Sequence, residues 1–212
     1  MSIAQFLYPA IEEVQDHGDF TVLFAGRHEE SKGIDVFANA IPRVAQKYPQ
    51  VKFVFVGRDT VHPTTRTSYR EYLKEQLQKF CVKFYDAVNQ KDLADHFRKC
   101  TLCVFPSFFA GGATMAIEAA SCGIPSVVSG IEAFVEYFQD HQNALVVPIN
   151  DSSALASAII ELLDNKELRL KIRRHALITA NEFDLERIIE EALNIYHEAI
   201  QKFQMKGSGN PR

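Results

Sequence analysis

The sequence lacks several features that would place it in a broad class of protein at once. It has no tryptophan and only four cysteines in 212 residues, so it does not resemble a small secreted disulfide scaffold. No run of about eighteen apolar residues occurs, and therefore no membrane-spanning helix is predicted. The net charge is −4, from 23 basic and 27 acidic residues, which argues against a nucleic-acid-binding surface. The seven histidines are scattered and form no H-x-E or H-E-x-x-H pattern, so no metal site is expected.

The hydrophobic content and the length of the chain fit one globular domain. Hydrophobic residues make up 47% of the chain, enough to bury a full core at this length. We expect the domain at residues 21–206, after a linker or starting segment at 1–20 that lacks the pattern of a signal peptide. Residues 207–212 read as a disordered tail. The few cysteines are expected to be thiols in a cytoplasmic protein.

Strand and helix patterns alternate along the chain, which predicts a doubly wound α/β fold. Short apolar runs predict six buried parallel strands, at Thr21 to Ala25, Val51 to Val56, Val82 to Tyr85, Leu102 to Phe105, Ser126 to Ser129 and Ala144 to Val147. Helical patterns lie between them, near Gly33 to Lys47, Ser68 to Lys79, Lys91 to Lys99, Thr114 to Ser121 and Ala133 to Phe138. After Pro148 three further helices are predicted, with Asp151 and Asn165 as N-caps of the first two and Phe183 before the third.

The loop after the first strand carries two cations. Arg27 and Lys32 follow the strand directly, and ligands of open α/β sheets collect at the carboxyl ends of the strands. Two fixed cations at that edge suit a diphosphate, although most such residues are solvated loop charges. His28, next to Arg27, is predicted to be a solvated loop histidine, with approach to a phosphate as the alternative. Arg58, after the second strand, either adds a third cation or is simply exposed.

The segment from Leu102 to Pro125 is the most informative part of the chain. An apolar strand leads into a loop that contains Gly111 and Gly112, and a helix follows from about Thr114. A glycine loop lets backbone amides approach an anion, and the helix N-terminus adds partial positive charge. Glu118, one turn into the helix, can accept hydrogen bonds from sugar hydroxyls. An ordinary strand-loop-helix turn with an exposed glutamate remains the alternative.

Together these motifs resemble the carboxyl-terminal half of the two-domain GT-B glycosyltransferases, in the large retaining group 1 family. The resemblance rests on GRHEESKG after the first strand, VKFVFVG in the second, VKFYD in the third and PSFFAGGATMAIEAASCGIPSV from residue 106 onward. It covers nearly the whole chain, from Thr21 to Tyr196. It implies one half of a GT-B fold, which binds a nucleotide-sugar donor such as a UDP-sugar or GDP-sugar and uses no cofactor. The acceptor-binding half would be supplied by an amino-terminal domain in the same or another chain, and the full enzyme could associate peripherally with a membrane.

The resemblance also assigns roles to individual residues. Arg27 and Lys32 would neutralise the diphosphate, Glu118 would bind the ribose, and the loop from Tyr85 to Val88 would hold the base. The other residues expected at the nucleotide-sugar are Gly26, Arg58, Ala87, Ala110, Gly111, Gly112, Ala113, Thr114 and Met115. The implied reaction is a retaining sugar transfer in polysaccharide or glycoconjugate synthesis, and the chain alone is expected to be inactive.

The sequence departs from the family pattern at the sugar-contacting positions. Ala110 stands where the family usually has the first of two glutamates eight residues apart, Ala113 where a glycine is common, and Asp86 where the third strand's motif has its glycine. The nucleotide half of the site is therefore preserved and the sugar half is altered. Two rival interpretations stay open: a non-catalytic nucleotide-binding or partner subunit, and an unrelated dinucleotide enzyme. The second is disfavoured because no G-x-G-x-x-G follows the first strand.

Two further patterns favour packing over chemistry. Cys100 and Cys103 form a C-x-x-C, but it lies where a helix ends and a strand begins, with no second pair at zinc-like spacing. We therefore expect core residues there. The last helix has Leu185, Ile188, Ile189, Leu193 and Tyr196 at helical spacing, and packing of that face on the domain is favoured. Exposure of the face, leading to self-association, is the alternative.

Overall fold

The predicted sheet forms with all six strands parallel. The computed structural model describes residues 19–183 and 185–207. The strands are β1 Thr21–Ala25, β2 Lys52–Val56, β3 Val82–Tyr85, β4 Leu102–Phe105, β5 Ser126–Ser129 and β6 Leu145–Val147. They lie in the order β3-β2-β1-β4-β5-β6. The chain thus reverses its winding direction between β1 and β4, and the crevice at such a switch point is where ligands of open α/β sheets bind.

Eight α-helices are described, together with one 3₁₀ turn at Glu30–Lys32. They are α1 Ile34–Lys47, α2 Tyr69–Gln76, α3 Gln90–Lys99, α4 Thr114–Ser121, α5 Glu132–Val135, α6 Ser152–Asp164, α7 Lys166–Asn181 and α8 Leu185–Gly207. The two predicted N-caps are confirmed, since Asp151 accepts from the Ala154 amide and Asn165 from the Leu168 amide. α2 is shorter than predicted because residues 77–80 close a separate turn, with the Phe80 amide bonded to the Leu77 carbonyl.

Alternate residues of the strands bury opposite faces of the sheet in two cores. On one side Phe24 and Phe55 pack with Phe37 of α1, and α2 and α6 complete the layer. On the other side Leu23 and Cys103 pack against α3, α4 and α7. Burial of both faces explains why the central strands β1 and β4 are apolar along their length, whereas the edge strand β3 alternates between half-buried and exposed residues.

The C-x-x-C belongs to the second core, as predicted. Cys103 is fully buried in β4, and its Sγ lies 3.5 Å from that of Cys100 without a disulfide. Burial raises the pKa of the Cys103 thiol, which keeps it protonated and unreactive. Within residues 19–183 and 185–207, no group of three or more histidine, cysteine or acidic side chains could hold a metal ion.

The preferred expectation for the last helix was wrong. The described side chains of its predicted apolar face are exposed: Ile189, Leu193 and Tyr196 at 49%, 52% and 67%. Ile200 and Phe203 continue the same stripe, at 52% and 80% exposed. The helix therefore presents an uncovered apolar stripe, and the expected self-association stays a prediction. The side chains of Leu185 and Ile188 lie outside the described residues.

No helix in the described part of the chain has the length and apolar character needed to cross a membrane. Most of the predicted linker, residues 1–18, and residues 208–212 of the predicted tail lie outside the described residues. Gly207, the first residue of that tail, is instead the last residue of α8.

Candidate functional site

Three loops meet at the carboxyl edge of the sheet, around the switch point. The loop after β1 is tied to the loop after β2, because the His28 amide donates to the Arg58 carbonyl at 2.8 Å. The same loop is tied to the one after β4, because the Phe108 amide donates to the Ser31 carbonyl at 2.9 Å. The predicted diphosphate residues and the predicted glycine loop are thereby brought to one edge.

Two glycines permit this close meeting of loops. At Gly33, φ is +66°, and a Cβ there would lie 1.9 Å from the Pro106 carbonyl oxygen. At Gly57 a Cβ would lie 1.8 Å from the Gly26 carbonyl oxygen. Neither distance is compatible with a side chain, and the left-handed conformation of Gly33 disfavours any other residue. Gly33 also precedes α1 directly, so its contact with Pro106 sets the position of Lys32.

The predicted cations lie at this edge in different environments. The Arg27 side chain is 61% exposed, and its Nη2 lies 2.9 Å from the Glu29 carboxylate. The Ser31 hydroxyl donates to the same Glu29 oxygen at 2.6 Å. Lys32 is partly buried beside Gly26, whereas Arg58 is exposed. An exposed pair such as Arg27–Glu29 is weak, so Arg27 can exchange this partner for a bound anion.

The start of α4 is open toward solvent. Gly111, Gly112 and Thr114 are exposed, and Ala113, the N-cap residue, makes no side-chain capping bond. The first turn carries no acidic residue. The first amides of an α-helix have no partner within the helix, so those around Thr114 and Met115 are available to an anion.

Glu118 joins α4 to the loop after β3. Its Oε1 accepts a hydrogen bond from Gln90 Nε2 at 3.1 Å, at the first residue of α3. Burial raises the pKa of the Glu118 carboxyl, and the Gln90 bond partly opposes this. At the end of β3 Tyr85 is 40% exposed, with its ring centroid 4.7 Å from that of His96, and Ala87 in the loop that follows is exposed. Glu118 is therefore half-buried beside the predicted base loop and not fully exposed, and its role at the ribose stays a prediction.

His28 is not the solvated histidine that its polar neighbours in the sequence suggest. It is fully buried, with its ring centroid 6.5, 6.4 and 6.2 Å from those of Phe24, Phe55 and Phe84. Neither ring nitrogen has a hydrogen-bond partner, and the nearest carboxylate oxygen, on Asp59, is 3.8 Å from Nδ1. Desolvation by burial lowers the pKa of His28, so the ring is held neutral beneath the Arg27 loop.

A polar network that sequence analysis missed continues from His28 to the base loop. Asp59 accepts hydrogen bonds from the Ser68 hydroxyl at 2.5 Å and from the Arg70 amide at 3.1 Å. Arg70 Nη2 in turn pairs with Asp86 at 2.7 Å. Asp86, noted as a departure from the family motif, therefore anchors the base loop to α2. Ser68 caps α2 by accepting from the Glu71 amide, and a serine at the start of a helical pattern is the one local signal that could have indicated part of this network.

His28 is expected to make the fold sensitive to acid. Its pKa is lower in the folded chain than the ordinary 6.5, so below that pH the unfolded chain binds more protons and stability falls. The free energy of unfolding should be fully present above pH 6.5 and decline below it. His28→Leu should flatten this decline and raise stability at pH 7.5 by roughly 1 kcal/mol, because no buried nitrogen is left unbonded. Chemical denaturation from pH 5 to 8 measures the pH dependence and the gain in the free energy of unfolding, with substitution of the exposed His175 by leucine as the control. If the free energy of unfolding of His28→Leu declines with acid as steeply as that of the wild-type chain, His28 is not the group that makes the fold sensitive to acid.

Comparison with known proteins identifies the family to which the chain belongs. The glycosyl transferases group 1 family matches residues 19–165, more than half of the chain. The chain belongs to that family, which excludes the unrelated dinucleotide enzyme.

Among curated relatives, a phosphatidyl-myo-inositol mannosyltransferase of Mycolicibacterium smegmatis is 27% identical over 199 residues, which cover 90% of this chain and 49% of the relative. A D-inositol 3-phosphate glycosyltransferase of Paenarthrobacter aurescens is 25% identical over 181 residues, or 85% of this chain and 44% of the relative. The chain thus spans about half the length of the curated relatives it matches.

Solved structures agree on the fold. The C-terminal domain of the group 1 glycosyl transferase LpcC from Francisella tularensis aligns with a TM-score of 0.72 at 19% identity, over 86% of this chain and 97% of that one. Anabaena Alr3699/HepE, solved with UDP and glucose, aligns with a TM-score of 0.76 at 20% identity, over 93% of this chain and 55% of that one. The predicted half of a GT-B fold, with its six-stranded parallel sheet, is confirmed.

Proposed function

We propose that this chain is the donor-binding domain of a retaining glycosyltransferase that uses a UDP-sugar or GDP-sugar. The observation that carries the proposal is the convergence, at one sheet edge, of the Arg27 and Lys32 loop with the open start of α4. Cations and unpartnered helix amides that face a common crevice suit a diphosphate. UDP complexes of a structural relative support the choice of ligand class.

The order of the loops along the edge supports one orientation of the nucleotide. The base lies at the loop after β3, near Tyr85 and Ala87, and the ribose hydroxyls bind Glu118. The diphosphate crosses to the switch point between β1 and β4. There it meets Gly26, Arg27, Lys32 and, on the other side, the amides of Thr114 and Met115.

The chemical role of this arrangement is to stabilise a leaving group. As the bond between the sugar and the diphosphate breaks, negative charge grows on the phosphate oxygens. Lys32 and the α4 amides are in place before that charge develops, and preorganised groups of this kind lower the barrier most. Arg27 joins them when it exchanges Glu29 for the phosphate. Arg58 adds positive charge at the same edge.

The acceptor comes from a separate amino-terminal domain in the same or another chain. Transfer requires donor and acceptor to be held together in a closed, water-poor cleft. We propose that residues 1–212 alone bind nucleotide but transfer no sugar, and that the complete enzyme is cytoplasmic or peripheral to a membrane and acts in polysaccharide or glycoconjugate synthesis. Ala110 supports a second candidate, a nucleotide-binding subunit without transfer activity.

Glu118→Gln tests the position of the ribose. The substitution keeps the shape of the side chain but weakens acceptance from two hydroxyls, so UDP and GDP should each lose roughly 1 to 2 kcal/mol of binding free energy. Inorganic pyrophosphate, which has no ribose, should bind as before. Calorimetric titration measures all three, with Glu167→Gln on α7 as the charge-matched control. Unchanged affinity for both nucleotides would remove Glu118 from the site.

A further inference from the structure

The start of α2 lies between the loops proposed to hold the two ends of a nucleotide. It is fixed to the loop after β2 by Asp59, which accepts hydrogen bonds from the Ser68 hydroxyl at 2.5 Å and from the Arg70 amide at 3.1 Å. The loop after β2 is in turn joined to the loop after β1, since the His28 amide donates to the Arg58 carbonyl at 2.8 Å. The first turn of α2 is therefore held in place relative to the proposed diphosphate loop.

From this fixed helix start, the Arg70 side chain reaches the loop after β3. Its Nη2 lies 2.7 Å from Asp86 Oδ1, and Asp86 is the first residue after Tyr85, where β3 ends. The Arg70 side chain is only 19% exposed, whereas that of Asp86 is 84% exposed. A guanidinium enclosed by the protein thus pairs with a carboxylate of the surface loop that is proposed to hold the base.

The backbone at Asp86 does not need the glycine that the family pattern has at this position. Among the described residues, the side-chain-bearing residues with a positive φ are Arg66, His141 and Asn150, so Asp86 has an ordinary backbone conformation. Arg70 Nε is buried and has no hydrogen-bond partner in the described part of the chain, so the contact with Asp86 is what engages the guanidinium. A glycine could not supply it, and the ion pair is a feature that this chain adds to the family pattern.

We propose that Arg70 and Asp86 are positioning residues for the nucleoside, which hold the base loop in register with the diphosphate loop. The inference rests on the proposed function. While the pair is intact, the loop around Ala87 is already in the conformation that meets the base, and less binding free energy is lost in ordering it. Loss of the pair lowers the population of that conformation, and the apparent affinity falls by the same factor.

Calorimetric titrations of UDP, UMP, GDP, GMP and pyrophosphate test this assignment. Asp86→Ala should weaken the nucleotides that the wild-type chain binds by about three- to fivefold, since an ion pair with one exposed partner shifts such an equilibrium by no more than that. The diphosphate and the monophosphate of one nucleoside should lose equally, and pyrophosphate should bind as before because it has no base. Asp95→Ala is the matched control. It removes the partly exposed Asp95–Arg98 ion pair of α3, which has a length of 2.8 Å, and should change none of these affinities.

A second variant examines the other partner of the pair. Arg70→Met keeps the apolar stem of the side chain and removes the guanidinium, so it should reproduce the pattern of Asp86→Ala. The double variant should lose little more affinity than either single variant, because all three remove the same contact. Urea denaturation should give nearly the same free energy of unfolding for Asp86→Ala as for the wild-type chain, since the Asp86 side chain is exposed. If Arg70→Met does not fold, Asp86→Ala alone decides the matter.

The outcomes separate this inference from the function on which it rests. If UDP or GDP binds and Asp86→Ala leaves its affinity unchanged, the pair does not position the nucleoside and the nucleotide site stands. If Asp86→Ala weakens pyrophosphate as much as the nucleotides, the pair acts on the diphosphate loop and the assignment to the base is wrong. If no nucleotide binds the wild-type chain, the proposed function fails and the inference fails with it.

Discussion

Gly33→Ala is expected to lower the free energy of unfolding by more than about 2 kcal/mol. A left-handed alanine alone costs about 1 to 2 kcal/mol, and the new Cβ would lie 1.9 Å from the Pro106 carbonyl oxygen, so the two loops must also separate. Lys32 precedes this contact directly, and nucleotide affinity should fall together with stability. Urea denaturation and calorimetry measure the two effects.

Gly111→Ala is the matched control for this prediction. Gly111 lies in the glycine loop of the same edge, but a Cβ there would meet nothing within 4 Å. Its substitution should change stability by no more than about 0.5 kcal/mol. If Gly33→Ala changes the free energy of unfolding as little as Gly111→Ala is expected to, Gly33 is replaceable and the two loops do not depend on its contact with Pro106.

Lys32→Ala is expected to weaken nucleoside diphosphate binding by roughly 1.5 to 3 kcal/mol, the range for hydrogen bonds to charged groups. The nucleoside monophosphate should lose much less, because it lacks the second phosphate. Calorimetric titration of UDP and UMP, and of GDP and GMP, gives the comparison. Lys166→Ala removes an exposed lysine from α7 and should leave all four affinities unchanged. Equal losses for the diphosphate and the monophosphate would show that Lys32 does not bind the second phosphate.

Much of the fold could be predicted because local signals and tertiary structure agree. The apolar runs at Thr21–Ala25 and Leu102–Phe105 are bounded by residues that cannot continue a buried strand, and both strands occur at the predicted residues. α4 likewise begins at Thr114 as predicted. α5 is displaced from its predicted range because its N-cap, Ile131, makes no side-chain capping bond and marks no boundary in the sequence.

The misses arise where distant segments decide the environment. His28 stands in a polar stretch, yet Phe55 and Phe84 from two other strands enclose it. The Arg70–Asp86 pair joins residues 16 positions apart, which no local pattern reveals. On α8 the apolar spacing is the same whether the face is covered or exposed, so periodicity alone could not distinguish packing from the exposed stripe that is observed.

Titration of the wild-type chain with nucleotides tests the central claim, that the sheet edge around Arg27 and Lys32 binds a nucleoside diphosphate. UDP or GDP should bind at a single site, more tightly than the corresponding monophosphate, and NAD should not bind. Binding of NAD, or the absence of binding by both UDP and GDP, would contradict the account.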